Sequence, residues 1–125
     1  MENQGRRDTK PELAVRSAVW RRGLRYRVDV SPIKGMRSRA DLVFTRAKVA
    51  VFVDGCFWHS CPEHLTIPKA NREWWVDKLE ANVARDRRVD EDLRSAGWRV
   101  VRIWEHEDPE SAATRVAQVV ATVSR

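Results

Sequence analysis

Residues 98–104 read WRVVRIW and follow Gly97 directly. A glycine closing a polar, helix-prone stretch, then seven residues rich in Trp, Val and Ile, predicts a helix stop and a strand. The stretch before it, residues 71–96, spaces Trp75, Leu79 and Val83 four apart. Neither Gly nor Pro interrupts that spacing and Asn82 is only a weak helix former, so a long helix feeds this strand. Upstream, residues 49–53 read VAVFV, a second apolar, β-prone run. Two such strands joined through a helix form a crossover, which makes them parallel neighbours.

Working outward, the polar TRAK at 45–48 separates VAVFV from a third apolar run at 40–44, as in a hairpin. Residues 25–30 alternate and read as a further strand. SPIKGMRSR at 31–39 is a loop. Thr9-Lys10-Pro11-Glu12 has the form of a capping box with Pro in the first turn. The helix it opens should turn Leu13, Val19 and Trp20 to the core and stop at Gly23. Pro109 opens a last helix with Val116, Val119, Val120 and Val123 on its apolar side. The order α-β-β-β-α-β-α predicts an α/β fold: a mixed four-stranded sheet flanked by helices, in a single domain spanning residues 1–125.

A chain of 125 residues, 42% hydrophobic, can bury a core without disulfides. No apolar run approaches the ~20 residues that span a bilayer. MENQGRRDTK at the start has no apolar core of a secretory signal. The expected address is a bacterial-type cytoplasm, where thiols stay reduced. The net charge of +6 is uneven: residues 1–50 carry 13 Lys/Arg against 5 Asp/Glu, and residues 51–125 carry 11 against 13. A basic half suggests a polyanion partner, most simply nucleic acid, although a solvated arginine-rich surface would read the same way.

If strands 49–53 and 98–104 are parallel, their C-terminal ends share one edge of the sheet. VDGCFWHSCPEH at 53–64 leaves the first strand there, and Trp104-Glu105-His106-Glu107 ends the second. Cys56, Cys61, His64 and His106 can then meet, two thiolates and two imidazoles, the composition of a closed tetrahedral zinc site. The alternative is free cysteines and surface histidines. His59 is left over as a candidate general acid or base. In a hairpin with a four-residue loop, Asp41 lies opposite Phe52 and diagonal to Asp54. Two carboxylates at a sheet end suit Mg²⁺, although each also reads as a strand or turn residue. Glu12 either closes the first helix or reaches this site from the helix N-terminus. Phe57 and Trp58 are core aromatics or wedges for a base stack. Of Trp74 and Trp75, at least one should pack on the sheet. Arg85, Arg87 and Arg88 read as a solvated helix face, near phosphates if the partner is nucleic acid.

VFVDGCFWHSCPEH, NREWWVDKLEANVARDRR and GWRVVRIWEHE, with RDTKPE near the start, closely resemble the very-short-patch-repair (Vsr) DNA mismatch endonucleases. The resemblance runs from about Arg7 to Glu107. It implies a PD-(D/E)XK restriction-endonuclease-like fold with a structural Zn²⁺. It further implies Mg²⁺-dependent nicking of one strand of duplex DNA beside a T:G mismatch. By motif position, the catalytic Asp falls on Asp41, the catalytic His on His59 and the helical Glu on Glu12. The wedge aromatics fall on Phe57 and Trp58. Cys56 and His106 take the first and last zinc positions, with Cys61 and His64 between them at altered spacing.

Three departures stand out. Val53 replaces a Thr whose backbone carbonyl serves the metal, which Val can also supply. Asp54 stands where the family often has His. The loop before Asp41 reads PIKGMRSRA where the family has a shorter PGRPD-like form. The resemblance implies a monomer that works on double-stranded DNA in the bacterial cytoplasm, beside the nucleoid and without a membrane. Two rivals remain: the same chemistry on other mismatched, modified or foreign DNA, and a zinc-stabilised DNA-binding domain that does not cut. Glu12, Asp41 and Asp54 argue against the second, since a pure binder has no use for gathered acids.

Overall fold

The computed structural model describes residues 10–55 and 67–123. Among them the order is α1 (Lys10–Arg21), β1 (Arg27–Val30), β2 (Ala40–Phe44), β3 (Val49–Asp54), α2 (Arg72–Ser95), β4 (Arg99–Trp104) and α3 (Pro109–Val123). The four strands form one sheet in sequence order. β1 and β2 pair antiparallel, as do β2 and β3, while β3 and β4 run parallel. The mixed α/β sheet expected from the crossover is therefore present, with each element type in its expected place.

β3 is the centre of the molecule. Val49 and Val51 face α1 and α3, where they join Val15, Ala18, Val19, Leu42, Phe44, Val101, Ile103, Ala112, Ala113 and Val116 in the larger core. Ala50 and Phe52 face the other way, with Val43, Leu93 and the half-buried Val89, Trp98 and Val100. A strand covered on both faces must be apolar at every position, which is why VAVFV is unbroken. The parallel register sets Val49 against Arg99 and Asp54 against Trp104. The two strands thus end in step.

Two side-chain expectations fail on α1. Leu13 is 46% exposed and Trp20 49%, whereas Val15, Ala18 and Val19 are buried. The buried stripe passes through positions 12, 15 and 19, and residues 13 and 20 each lie about 100° round the helix from it. Trp20 instead takes the Arg25 guanidinium over its ring at 3.5 Å and meets Tyr26 edge-on. Among the described residues Trp74 and Trp75 also depart from expectation: they meet edge-on, join neither core cluster on the sheet, and Trp74 is 57% exposed while Trp75 is half-buried. The reason is length. A helix of 24 residues runs about 36 Å, while a strand of six covers about 20 Å. Leu93 and Val89, in the C-terminal half of α2, seat it on the sheet, and its first turns project past the strand ends. Among the described residues, no helix is long and apolar enough to cross a membrane.

Candidate active site

The candidate site lies where β2 begins and β3 ends. The β2–β3 ladder pairs Phe44 with Val49, Val43 with Ala50 and Leu42 with Val51, which sets Asp41 opposite Phe52 as expected. The C=O of Asp54 accepts the Glu105 N–H at 2.9 Å, so Asp54 turns its peptide groups toward β4. Val53, one residue earlier, turns its own toward β2. The Asp41 carboxylate takes the Val53 N–H at 2.6 Å. A side chain thus replaces a main-chain rung, and the Val53 C=O leaves the same strand edge as its N–H, toward Asp41.

Acids arrive at this point from both faces of the sheet. Glu12, in the first turn of α1, is buried and lies 3.5 Å from the Arg16 guanidinium. Asp54 is buried on the α2 face. Burial is the largest influence on Asp41 and pushes its pKa up from 3.8 to about 7. The Val53 N–H opposes this, the charges of Glu12 and Asp54 add to it, and Arg16 again opposes it. Asp41 thus lies within reach of the charges of both Glu12 and Asp54.

The sequence reading missed the group that holds Asp54. Arg102, in the middle of β4, gives its Nη1 to both Asp54 oxygens, at 3.1 and 3.3 Å. Its Nε and Nη2 reach Asp90 Oδ1 at 3.1 and 2.7 Å, and Nη2 also reaches the Asp86 C=O at 3.4 Å. The guanidinium lies over the Phe52 ring, 4.2 Å from its centre. Burial pulls the Arg102 pKa down, but the Asp90 hydrogen bond and the charges of Asp54, Asp90 and Asp86 outweigh it and the net direction is up. A signal was available. An arginine inside an apolar strand needs acids, and Asp86 and Asp90 lie four apart on the helix that covers that face.

His106 lies in the turn after β4, two residues past Trp104, on the edge where β3 delivers Gly55. Cys56, Phe57, Trp58, His59, Cys61 and His64 lie outside the described residues, as does Thr9. Among the described residues no three His, Cys, Asp or Glu side chains form a group that could hold a metal ion. The Asp41 end needs none: Mg²⁺ is usually held by one or two carboxylates and completes its shell with water and phosphate oxygens. A buried Asp41, beside two further acids and facing a backbone carbonyl, fits such an ion by charge and donor type.

Comparison with known proteins gives this site a lineage. The family model for the DNA mismatch endonuclease Vsr matches residues 1–63. The Type II nicking enzyme V.NaeI of Lentzea aerocolonigenes is 50% identical over 98% of this chain and 74% of its own. The Type II nicking enzyme V.NmeDIP of Neisseria meningitidis serogroup C is 42% identical over 86% of this chain and 72% of its own. The DNA mismatch endonuclease Vsr of Escherichia coli strain K12 is 37% identical over 79% of this chain and 62% of its own. Likeness at this level over most of the chain, with the gathered acids on the sheet end, makes this protein a member of the Vsr family of DNA mismatch endonucleases.

Proposed function

We propose that the protein nicks one strand of duplex DNA beside a T:G mismatch, working as a monomer on a sheet of PD-(D/E)XK type. The observation that carries the hydrolytic reading is the buried Asp41 on the broken rung between β2 and β3, beside the Val53 backbone and within reach of the charges of Glu12 and Asp54. Burying acids within reach of one another's charge costs stability, and Asp41, with its pKa pushed up to about 7, bears that cost. The relatives named as nicking enzymes and as mismatch endonucleases support the choice of DNA and of a single cut.

Asp41 and the Val53 carbonyl would hold Mg²⁺ against the scissile phosphate. Bound there, the ion would supply charge to the phosphoryl and leaving oxygens. The family motif assigns proton transfer at the attacking water to His59, and Glu12 would orient a water from the α1 side. Cys56, Cys61, His64 and His106 would hold a structural Zn²⁺ that ties the loop after β3 to the end of β4. Phe57 and Trp58 would enter the base stack. The basic residues of positions 1–50 would neutralise phosphates on either side.

The test is nicking of end-labelled duplexes with Mg²⁺, T:G against T:A, in several sequence contexts. A nick confined to the strand carrying the mismatched T supports the reading. Equal cutting of T:A, or cutting only of other mismatched or modified duplexes, replaces the substrate and keeps the chemistry. Strong nicking by Asp41→Ala overturns the metal assignment.

A further inference from the structure

Asp54 stands where the resemblance expects an imidazole, and sequence position alone made it a second ligand for the catalytic ion. Its surroundings point elsewhere. Both of its oxygens face one nitrogen of Arg102. All three guanidinium nitrogens are engaged, by Asp54, by Asp90 and by the Asp86 carbonyl. Phe52 floors the guanidinium. Arg102 is thereby pinned between β3 and α2, and it has no donor face left for a phosphate. Asp41, by contrast, is held by the Val53 N–H. The two acids are near enough to feel each other's charge, yet they are held by different elements.

We infer that Arg102 is a positioning residue of the active site: it holds the Asp54 carboxylate on the α2 face, so that Asp54 acts as a fixed charge beside Asp41 and not as a ligand of the divalent ion. This rests on the reading of Asp41 as the ion's carboxylate. The physical case is one of competition. A carboxylate that leaves Arg102 for the ion would strip both close hydrogen bonds from Nη1 and leave it only the longer ion pair to Asp86 Oδ1 at 3.8 Å. The strut also crosses three elements, because Arg102 sits in β4, Asp54 ends β3, and Asp86 and Asp90 lie on α2.

The experiment measures Mn²⁺ binding to the zinc-loaded full chain from the free-ion paramagnetic resonance signal, with nicking rates alongside. Asp41→Asn should weaken Mn²⁺ binding by about tenfold or more, and Asp54→Asn by no more than about threefold, the loss of a nearby charge. Arg102→Met should do two opposite things: strengthen Mn²⁺ binding severalfold, because the freed Asp54 can reach the ion, and slow nicking, because the ion is now held wrongly. The gain in binding should vanish in Arg102→Met/Asp54→Asn. General damage to the site would weaken both readouts together. Arg102→Lys keeps a cation against Asp54 without the fork to Asp90; it should hold Mn²⁺ within about threefold of the parent and keep more nicking than Arg102→Met. It serves if the Met variant does not fold, as read from its circular dichroism. The inference is overturned if Asp54→Asn loses Mn²⁺ as severely as Asp41→Asn, or if Arg102→Met leaves binding unchanged or weaker. If Asp41→Asn itself keeps full Mn²⁺ binding and nicking, the underlying reading of Asp41 fails, whatever Asp54 does.

Discussion

The Asp41 carboxylate accepts the Val53 N–H at 2.6 Å, where a regular antiparallel ladder would place the Ala40 carbonyl. A carboxyl side chain has replaced a main-chain rung, where Glu12 of α1 and Asp54, held through Arg102 to α2, bear on its charge. The substitution fixes Asp41 by its own backbone neighbour. It also costs stability once Asp41 is ionised, and that cost has a definite pH dependence.

Asp41 has a pKa of about 7 in the fold against 3.8 ordinarily. Between those values the folded chain keeps a proton that the unfolded chain has released. Stability therefore falls as pH rises from about 4 to about 7, and the whole penalty is present above 7. Asp41→Asn keeps an acceptor for the Val53 N–H and removes the penalty. It should be close to neutral at pH 4 and stabilising by on the order of a few kcal/mol at pH 8. Urea unfolding in magnesium-free buffer at the two pH values checks this. A loss of stability at pH 8 would contradict it.

The same proton competes with the proposed ion. Below pH 7 the apparent Mg²⁺ requirement for nicking should rise by roughly tenfold per pH unit, and above 7 it should level off. Mg²⁺ titrations of the nicking rate between pH 5.5 and about 8.5 give the curve. A requirement independent of pH would remove Asp41 from the ion.

Glu12 separates two roles by sign. As a helix cap, Glu12→Gln would lower stability and leave the pH profile alone. As a member of the site, it removes one of the charges that hold the Asp41 pKa up, so the levelling point of the Mg²⁺ curve should move to lower pH. Nicking at pH 8 should also drop by about tenfold or more, with the duplex KM little changed. A profile that stays in place with a lower melting temperature would return Glu12 to capping.

Much of this was legible in the residues. The unbroken VAVFV and the helix before WRVVRIW gave the parallel pair, and the four-residue TRAK turn gave the register that sets Asp41 opposite Phe52. What the sequence did not give was side-chain direction. Trp20 and Leu13 have core chemistry, yet a stripe one position away won the buried face, because Val15, Ala18 and Val19 fit closely against the valines of β3. Arg102 was passed over because a charge in an apolar strand reads as noise until the parallel register puts it beside Asp54. Local pattern fixes period and pairing. Which acid an arginine meets across 48 residues of chain is decided by tertiary packing alone.

The seating of α2 rests on few side chains. Leu93 is fully buried against Ala50 and Phe52, and most of the helix beyond it is polar or exposed. Leu93→Ala should cost about 2–5 kcal/mol. Because Asp86 and Asp90 ride on the same helix, it should also slow nicking. An equivalent truncation on the opposite face, Val116→Ala, should cost less stability, about 1–3 kcal/mol, and leave the nicking rate of the folded protein near the parent's. Denaturant unfolding and nicking assays on the two variants make the comparison. Equal effects on nicking would mean that α2 does not carry the strut.

The zinc proposal turns on His106. β3 and β4 end in register, Asp54 against Trp104, and the Glu105 N–H closes on the Asp54 carbonyl at 2.9 Å. His106, two residues past the end of β4, is thus carried beside a strand end held in register, which a closed structural site needs. The purified chain should hold about one zinc ion. His106→Ala should surrender it to a chelator far more readily and should melt at lower temperature, since metal binding to such a site is folding energy. His106→Cys should keep the ion, because a thiolate fills the same tetrahedral position. Zinc content by metal analysis, with melting curves before and after chelation, reads all three. Full zinc retention by His106→Ala would take His106 out of the ligand set, and a zinc-free parent that melts no differently after chelation would remove the site altogether.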